Sequence, residues 1–141
     1  MPDEKTFPFE ILTLQKAFLR TDARFVIAPG QEGLFEILPG HAPYVFALKP
    51  GPLQIRQPDG RDQFIAVGGG FLVVQPERTS LMTRSAELPH EIDKDRARRA
   101  KERAEQRLAE RAESVDTARA QAALQRSLAR LRVADYAATE K

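Results

Sequence analysis

Proline and glycine stop early in this chain. Of its ten prolines Pro89 is the last, of its eight glycines Gly70 is the last, and neither residue recurs before Lys141. Proline removes a backbone donor and fixes φ, whereas glycine lets the backbone turn freely, so a segment rich in both breaks into short elements. A segment lacking both can carry long uninterrupted helices. Two architectures therefore meet at Pro89, dividing the chain into residues 1–89 and 90–141. Charge divides there too. Residues 1–90 hold nine Lys/Arg against ten Asp/Glu, and residues 91–141 hold thirteen against ten.

In the first segment, Phe7-Pro8-Phe9-Glu10-Ile11 alternates with the period of a half-buried strand, and Ala23, Phe25 and Ile27 repeat it. Further short β-like runs cover 34–37, 44–48, 53–57, 63–67, 71–75 and 79–83. Turn chemistry falls between most of them, at Pro39-Gly40, Pro50-Gly51-Pro52, Pro58-Asp59-Gly60, Gly68-Gly69-Gly70 and Pro76-Glu77. Many short strands without intervening helices predict an antiparallel β-sandwich or flattened barrel. The glycine triplet is not a phosphate cradle. Phe71-Leu72 follow where a Lys-Ser/Thr pair is needed, so a bulge or tight crossing is expected.

From Ile92 the period changes. Ala97, Ala100, Ala104 and Leu108 make one apolar stripe, and Ala120, Leu124, Leu128 and Leu131 make a second. Asp93 stands where an N-cap would start the first helix, and Glu113-Ser114-Val115-Asp116 supplies a stop and a fresh cap. The prediction is an antiparallel two-helix hairpin, giving an α+β chain. Its seam is mostly alanine, so helix propensity is high while docking buries little apolar surface. That combination suits a movable arm.

Composition removes several functions. Without cysteine there is no disulfide, thiolate nucleophile or Cys-ligated zinc. No signal or transit peptide and no bilayer-spanning run is visible, which predicts a soluble cytosolic protein. Asp95/Arg99, Arg98/Glu102 and Lys101/Glu105 pair opposite charges at i,i+4 as on a solvated helix face. No aromatics interleave for base stacking, so no nucleic-acid partner is expected. Arg126 and Arg130 differ from this pattern. They lie one turn apart without acidic partners at i±4 and could converge with Arg103 on a polyanion such as a triphosphate; solvated surface is the competing reading.

In combination the motifs resemble the epsilon subunit of a bacterial F-type ATP synthase. Those motifs are Gly30-Gln31-Glu32-Gly33, then Ile37-Leu38-Pro39-Gly40-His41-Ala42-Pro43 and Leu48-Lys49-Pro50-Gly51. Gly69-Gly70-Phe71 with Val74-Gln75-Pro76 follows, then Ile92-Asp93-Lys94-Asp95-Arg96-Ala97 and Arg130-Leu131-Arg132-Val133. The resemblance implies a sandwich (1–89) bound to gamma and to the c subunits of the membrane rotor ring, through Glu32, Leu38, Pro39, Gly40 and His41. It implies a mobile hairpin (90–141) that reaches the alpha and beta subunits of the catalytic head and inhibits ATP hydrolysis. It also implies ATP as a regulatory ligand of the folded hairpin, held by Glu87, Ile92, Asp93, Arg96, Ala97, Arg103, Arg126 and Arg130, with no metal required. The implied location is peripheral, on the cytoplasmic face of the bacterial plasma membrane. Leu34 and Glu36 depart from the family pattern, standing where many relatives carry an acid and a glycine.

His41 has no cysteine, nearby second histidine or nucleophile for metal or covalent chemistry. Between Pro39 and Pro43 it belongs to a stiff loop, and stiffness lowers the ordering cost of docking. A non-catalytic coupling and regulatory subunit is the reading adopted. A free-standing nucleotide sensor without a rotary partner is the alternative.

Overall fold

A computed structural model describes residues 5–110 and 116–139. Eight strands among the described residues precede two helices: β1 Phe7–Leu12, β2 Ala17–Ala23, β3 Phe25–Gly30, β4 Gly33–Ile37, β5 Tyr44–Arg56, β6 Asp62–Val74, β7 Thr79–Met82 and β8 Ala86–Glu87, then α1 Lys94–Glu110 and α2 Thr117–Thr139. The strands follow one hydrogen-bonded path, β2-β1-β7-β6-β5-β3-β4, with β8 also on β6. β5 and β6 are long enough to serve both layers of the sandwich. Phe9, Ile11, Val26, Ile37, Leu53, Ile55, Ile65, Leu72 and Leu81 fill the space between the layers, fully buried. Truncating one of them to alanine costs about 2–5 kcal/mol by lost transfer energy and cavity formation.

Three expectations are corrected. Pro50-Gly51-Pro52 and Gly68-Gly69-Gly70 do not end strands. β5 and β6 run through them in one register, from Tyr44↔Val74 to Arg56↔Asp62. The prolines are tolerated because β3 skips this part of β5, pairing Ile27 with Gln54 and Gly30 with Leu48, so little β3 pairing needs their absent N–H groups. Pro50 faces Gly68, and the next two residues of β6, Gly69 and Gly70, take positive φ of 88° and 122°. A Cβ on Gly70 would lie 2.0 Å from the Met82 carbonyl oxygen, so the triplet is a tight crossing.

Secondly, Ala23 does not continue into one strand with Phe25 and Ile27. It ends the edge strand Ala17–Ala23, whose mixed sequence shows no clean alternation, and in β3 Val26 and Ala28 are buried while Phe25 and Ile27 are half-buried. Thirdly, β1 pairs with β7 in parallel, Phe9↔Thr79 to Leu12↔Met82, while the remaining pairings are antiparallel. Strand direction between elements so far apart in sequence leaves no trace in local periodicity.

Both expected helix caps form. The Asp93 carboxylate accepts from the Arg96 amide at 3.1 Å, and Asp116 does the same for Arg119 at 3.0 Å. The proposed stop at Glu113, Ser114 and Val115 lies outside the described residues. Among the first-helix residues expected at the seam, Ala97 and Ala104 are buried, while Ala100 and Leu108 are half-buried. α2 departs from its predicted stripe. Ala120 is buried as expected, but Leu124, Leu128 and Leu131 are only half-buried, while Ser127, Ala129, Val133 and Ala134, outside that stripe, are buried. The reason is that α2 has two neighbours, α1 on one side and β5 with β6 on the other, so its buried surface is broader than one stripe. On α1, Asp95 pairs with Arg98 at i,i+3 and 3.2 Å, where Arg99 was the expected partner.

Candidate functional site at the sandwich and hairpin seam

β8 brings Glu87 to the edge of the sheet, pairing it with Ala66 of β6. α2 then crosses above it. Arg130 Nε donates to Glu87 Oε1 at 2.6 Å, with side chains 31% and 28% exposed. Arg126, one turn earlier, is also half-buried. The two arginines and Glu87 line a narrow cleft with Ala66, Val67, Gly68 and Ser85. Its floor is the strand crossing, where the Gly68 amide donates to the Ser85 carbonyl at 2.9 Å. These arginines are therefore seam residues, not solvated surface. The partner of Arg130 was invisible in the sequence because it lies forty-three positions away.

The other residues expected at this site follow the turn Pro89–Glu91. Within this turn the Leu88 amide donates to Glu91 Oε1 at 2.9 Å. Ile92 is half-buried, Asp93 and Arg96 are exposed, and Ala97 is buried at the start of α1. Arg103 is exposed further along α1 and does not line the cleft. The structure thus brings Glu87, Arg126 and Arg130 together and leaves Arg103 apart. The cleft holds only about 10 Å³, less than a triphosphate requires. A polyanion therefore fits no deeper than the mouth of this cleft.

The stiff loop forms a second candidate surface. His41 closes a turn through its amide to the Leu38 carbonyl at 3.1 Å, its Nδ1 lies 2.7 Å from the Ala42 carbonyl, and its ring meets Phe46 edge-on at 5.8 Å. Glu32, Leu34, His41, Tyr44 and Val45 border one shallow depression of about 670 Å³. Leu34, Leu38, Tyr44 and Val45 are each more than half exposed, so this region presents apolar surface beside a carboxylate. Pro39 with Leu38 borders a separate hollow containing Lys5, Arg24 and Arg56, and Gly40 borders a third beside Pro8 and Arg78. The five expected contact residues therefore surround one loop and turn region without sharing a single pocket.

One cluster went unseen in the sequence. Glu10 points out of the sandwich yet is only 7% exposed, because Arg20 and Arg78 flank it at 3.4 and 3.3 Å. The Ser80 hydroxyl donates to Glu10 Oε2 at 2.7 Å. The signal available was its outward position in an alternating strand; its burial depends on strands paired from elsewhere. Among the described residues no three His, Asp or Glu side chains gather as a metal site, and no helix is long and apolar enough to cross a membrane.

A β-sandwich with a parallel β1–β7 pair, a kinked central hairpin and two trailing helices is a fold found in rotary ATP synthases. A chain of the Euglena gracilis mitochondrial ATP synthase, in a structure of OSCP, F1 and c-ring, matches with a TM-score of 0.80 at 23% identity, covering 92% of this chain and 81% of that one. A chain from the central stalk and c-ring of the Tetrahymena thermophila enzyme matches at 0.55 and 18% identity, covering 95% and 97%. The family models for the β-sandwich domain and the long α-helix domain of the ATP synthase delta/epsilon chain match residues 6–89 and 90–135. The chain belongs to this family of non-catalytic ATP synthase subunits. Relatives named ATP synthase epsilon chain include that of Nitratidesulfovibrio vulgaris strain DP4, 48% identical over 92% of this chain and 96% of its own. Those of Moorella thermoacetica and Syntrophomonas wolfei are 43% and 42% identical, covering 89% and 94% of this chain and 93% and 96% of their own.

Proposed function

We propose that this chain couples the rotor ring of an F-type ATP synthase to its catalytic head and restrains ATP hydrolysis, with ATP as a regulatory ligand. In this reading the sandwich binds gamma and the c subunits, using the region around Glu32 and Leu38 to His41. The helices undock to reach alpha and beta, and the assembled protein sits at the cytoplasmic face of the bacterial plasma membrane. Relatives and structural neighbours from ATP synthases support the assembly half.

The observation carrying the regulatory half is the seam itself. Arg126 and Arg130 are half-buried at a junction of sandwich and hairpin, where a ligand would hold the folded state against the extended one. Asp93 and Glu87 would face the adenosine, Ile92, Arg96 and Ala97 would complete the site just beyond the junction, and Arg103 would need to swing in from α1 to add a third phosphate contact. The test is calorimetric titration of the isolated protein with ATP, alongside the double variant Arg126→Ala and Arg130→Ala. Saturable binding by the parent and its loss in the variant, with helicity retained, is the expected result. Equal binding by both would remove these arginines from the site. Deleting 90–141 should raise ATP hydrolysis by the assembled enzyme; unchanged hydrolysis would remove the restraint.

A further inference from the structure

We infer that Glu87 acts as an internal competitor for the nucleotide phosphates, occupying Arg130 while the site is empty. The inference rests on the proposed ATP regulation and adds a mechanism to it. Three facts carry it. The Glu87 carboxylate bonds Arg130 at 2.6 Å, within the range of a strong charge-assisted hydrogen bond. Both side chains are about one-third exposed or less, so solvent screens their interaction only in part. The cleft they share with Arg126 has about 10 Å³ free, so a phosphate group cannot be added while the pair stays closed.

A phosphate oxygen approaching Arg130 therefore meets a carboxylate already on the guanidinium. With Glu87 on the Nε–H, a phosphate is left only the Nη donors and must sit beside a carboxylate that repels it. Binding becomes an exchange. Arg130 leaves Glu87 for the phosphate, and Glu87 rotates away, toward solvent or toward the nucleoside. The same pair ties α2 to β8 in the empty state, so binding trades that one tie for contacts from both arginines to the phosphates. Affinity is thereby set lower than two unoccupied arginines would give, and the site responds only to concentrated polyanion.

The charge-free isostere Glu87→Gln separates this role from a contact to adenosine when inorganic tripolyphosphate is titrated beside ATP. Tripolyphosphate carries the phosphates and no nucleoside. The expected result is that Glu87→Gln binds tripolyphosphate more tightly than the parent, on the order of fivefold, as removing one partly screened ion pair implies. Glu87→Ala, which also removes the acceptor, should shift in the same direction. Equal or weaker tripolyphosphate binding by both variants, with the parent still binding ATP, overturns the competition and leaves the regulatory reading intact. Absence of any ATP binding by the parent overturns that reading and the competition together.

Discussion

Phe64 of β6 packs on Tyr136 of α2, ring centroids 4.6 Å apart and planes inclined by 32°. This tilted pair joins the second helix to the sandwich across residues far apart in sequence. Together with Arg130 on Glu87, it ties α2 to the strands through an aromatic and an ionic contact. α1 packs chiefly on α2, through alanines. The helix nearer in sequence to the sandwich therefore depends on the farther one for its place.

Tyr136→Ala should consequently loosen the whole hairpin. Aromatic pairs contribute about 0.5–1.5 kcal/mol beyond their buried area. Limited proteolysis of the isolated protein should cleave within the helices several-fold faster, while strand amides keep their hydrogen-exchange protection. Unchanged cleavage would mean that the ionic tie and the alanine seam hold the hairpin without the rings.

Gly70→Ala tests the crossing of β6. A methyl group there would lie 2.0 Å from the Met82 carbonyl oxygen, and the position holds φ at +122°. Backbone opposes the substitution on both counts, so a destabilisation of about 3 kcal/mol or more is expected, the range of strain at a special dihedral combined with overpacking. Chemical denaturation should show it as a lower midpoint. A loss below about 1 kcal/mol would mean that β6 and β7 can separate at this point at little cost.

A fragment ending at Pro89 should fold. The large core side chains from Phe9 to Leu81 all precede that residue. Hairpin removal uncovers the faces of β5 and β6 beneath α2, so the fragment should melt cooperatively but at a lower temperature than the full chain. Circular dichroism would decide: a strand spectrum with a cooperative transition is expected, and an unstructured spectrum would show that α2 is part of the core.

Acidification should weaken the β5–β6 hairpin through Asp62. Its carboxyl is held below the ordinary value of 3.8, mainly by the hydrogen bond from Arg56. Arg56 Nε and Nη2 both donate to it, and the guanidinium also lies over the Phe25 ring at 4.8 Å. Because the folded pKa is depressed, the contribution is present above the unfolded value and disappears as pH falls through the folded one. For a pair this exposed it amounts to about 0.5–1 kcal/mol. Asp62→Asn should lower stability at neutral pH by that amount, and its gap to the parent should narrow towards pH 2 as the carboxylate is protonated. An unchanged difference between the two at both pH values would assign the effect to something other than the charge.

Local chemistry alone determined a good deal. The loss of proline and glycine after Pro89 and the change from a period of two to one near 3.6 announced strands and then helices. Asp93 and Asp116 capped where spacing put them, because a cap involves only residues three apart. The glycine triplet was legible as a crossing, since without a following Lys-Ser/Thr its value is steric. Tertiary structure decided the rest. Pro50-Gly51-Pro52 reads as a turn in isolation, and becomes a bend inside a strand only because β3 skips the donors that proline lacks. The parallel seating of β1 on β7, the burial of Glu10 beneath two arginines and the bond between Glu87 and Arg130 each join residues from separate strands or helices. Sequence periodicity reports which face of one element is apolar. It carries no term for which charged side chain another element will place against that face, as β8 places Glu87 against Arg130.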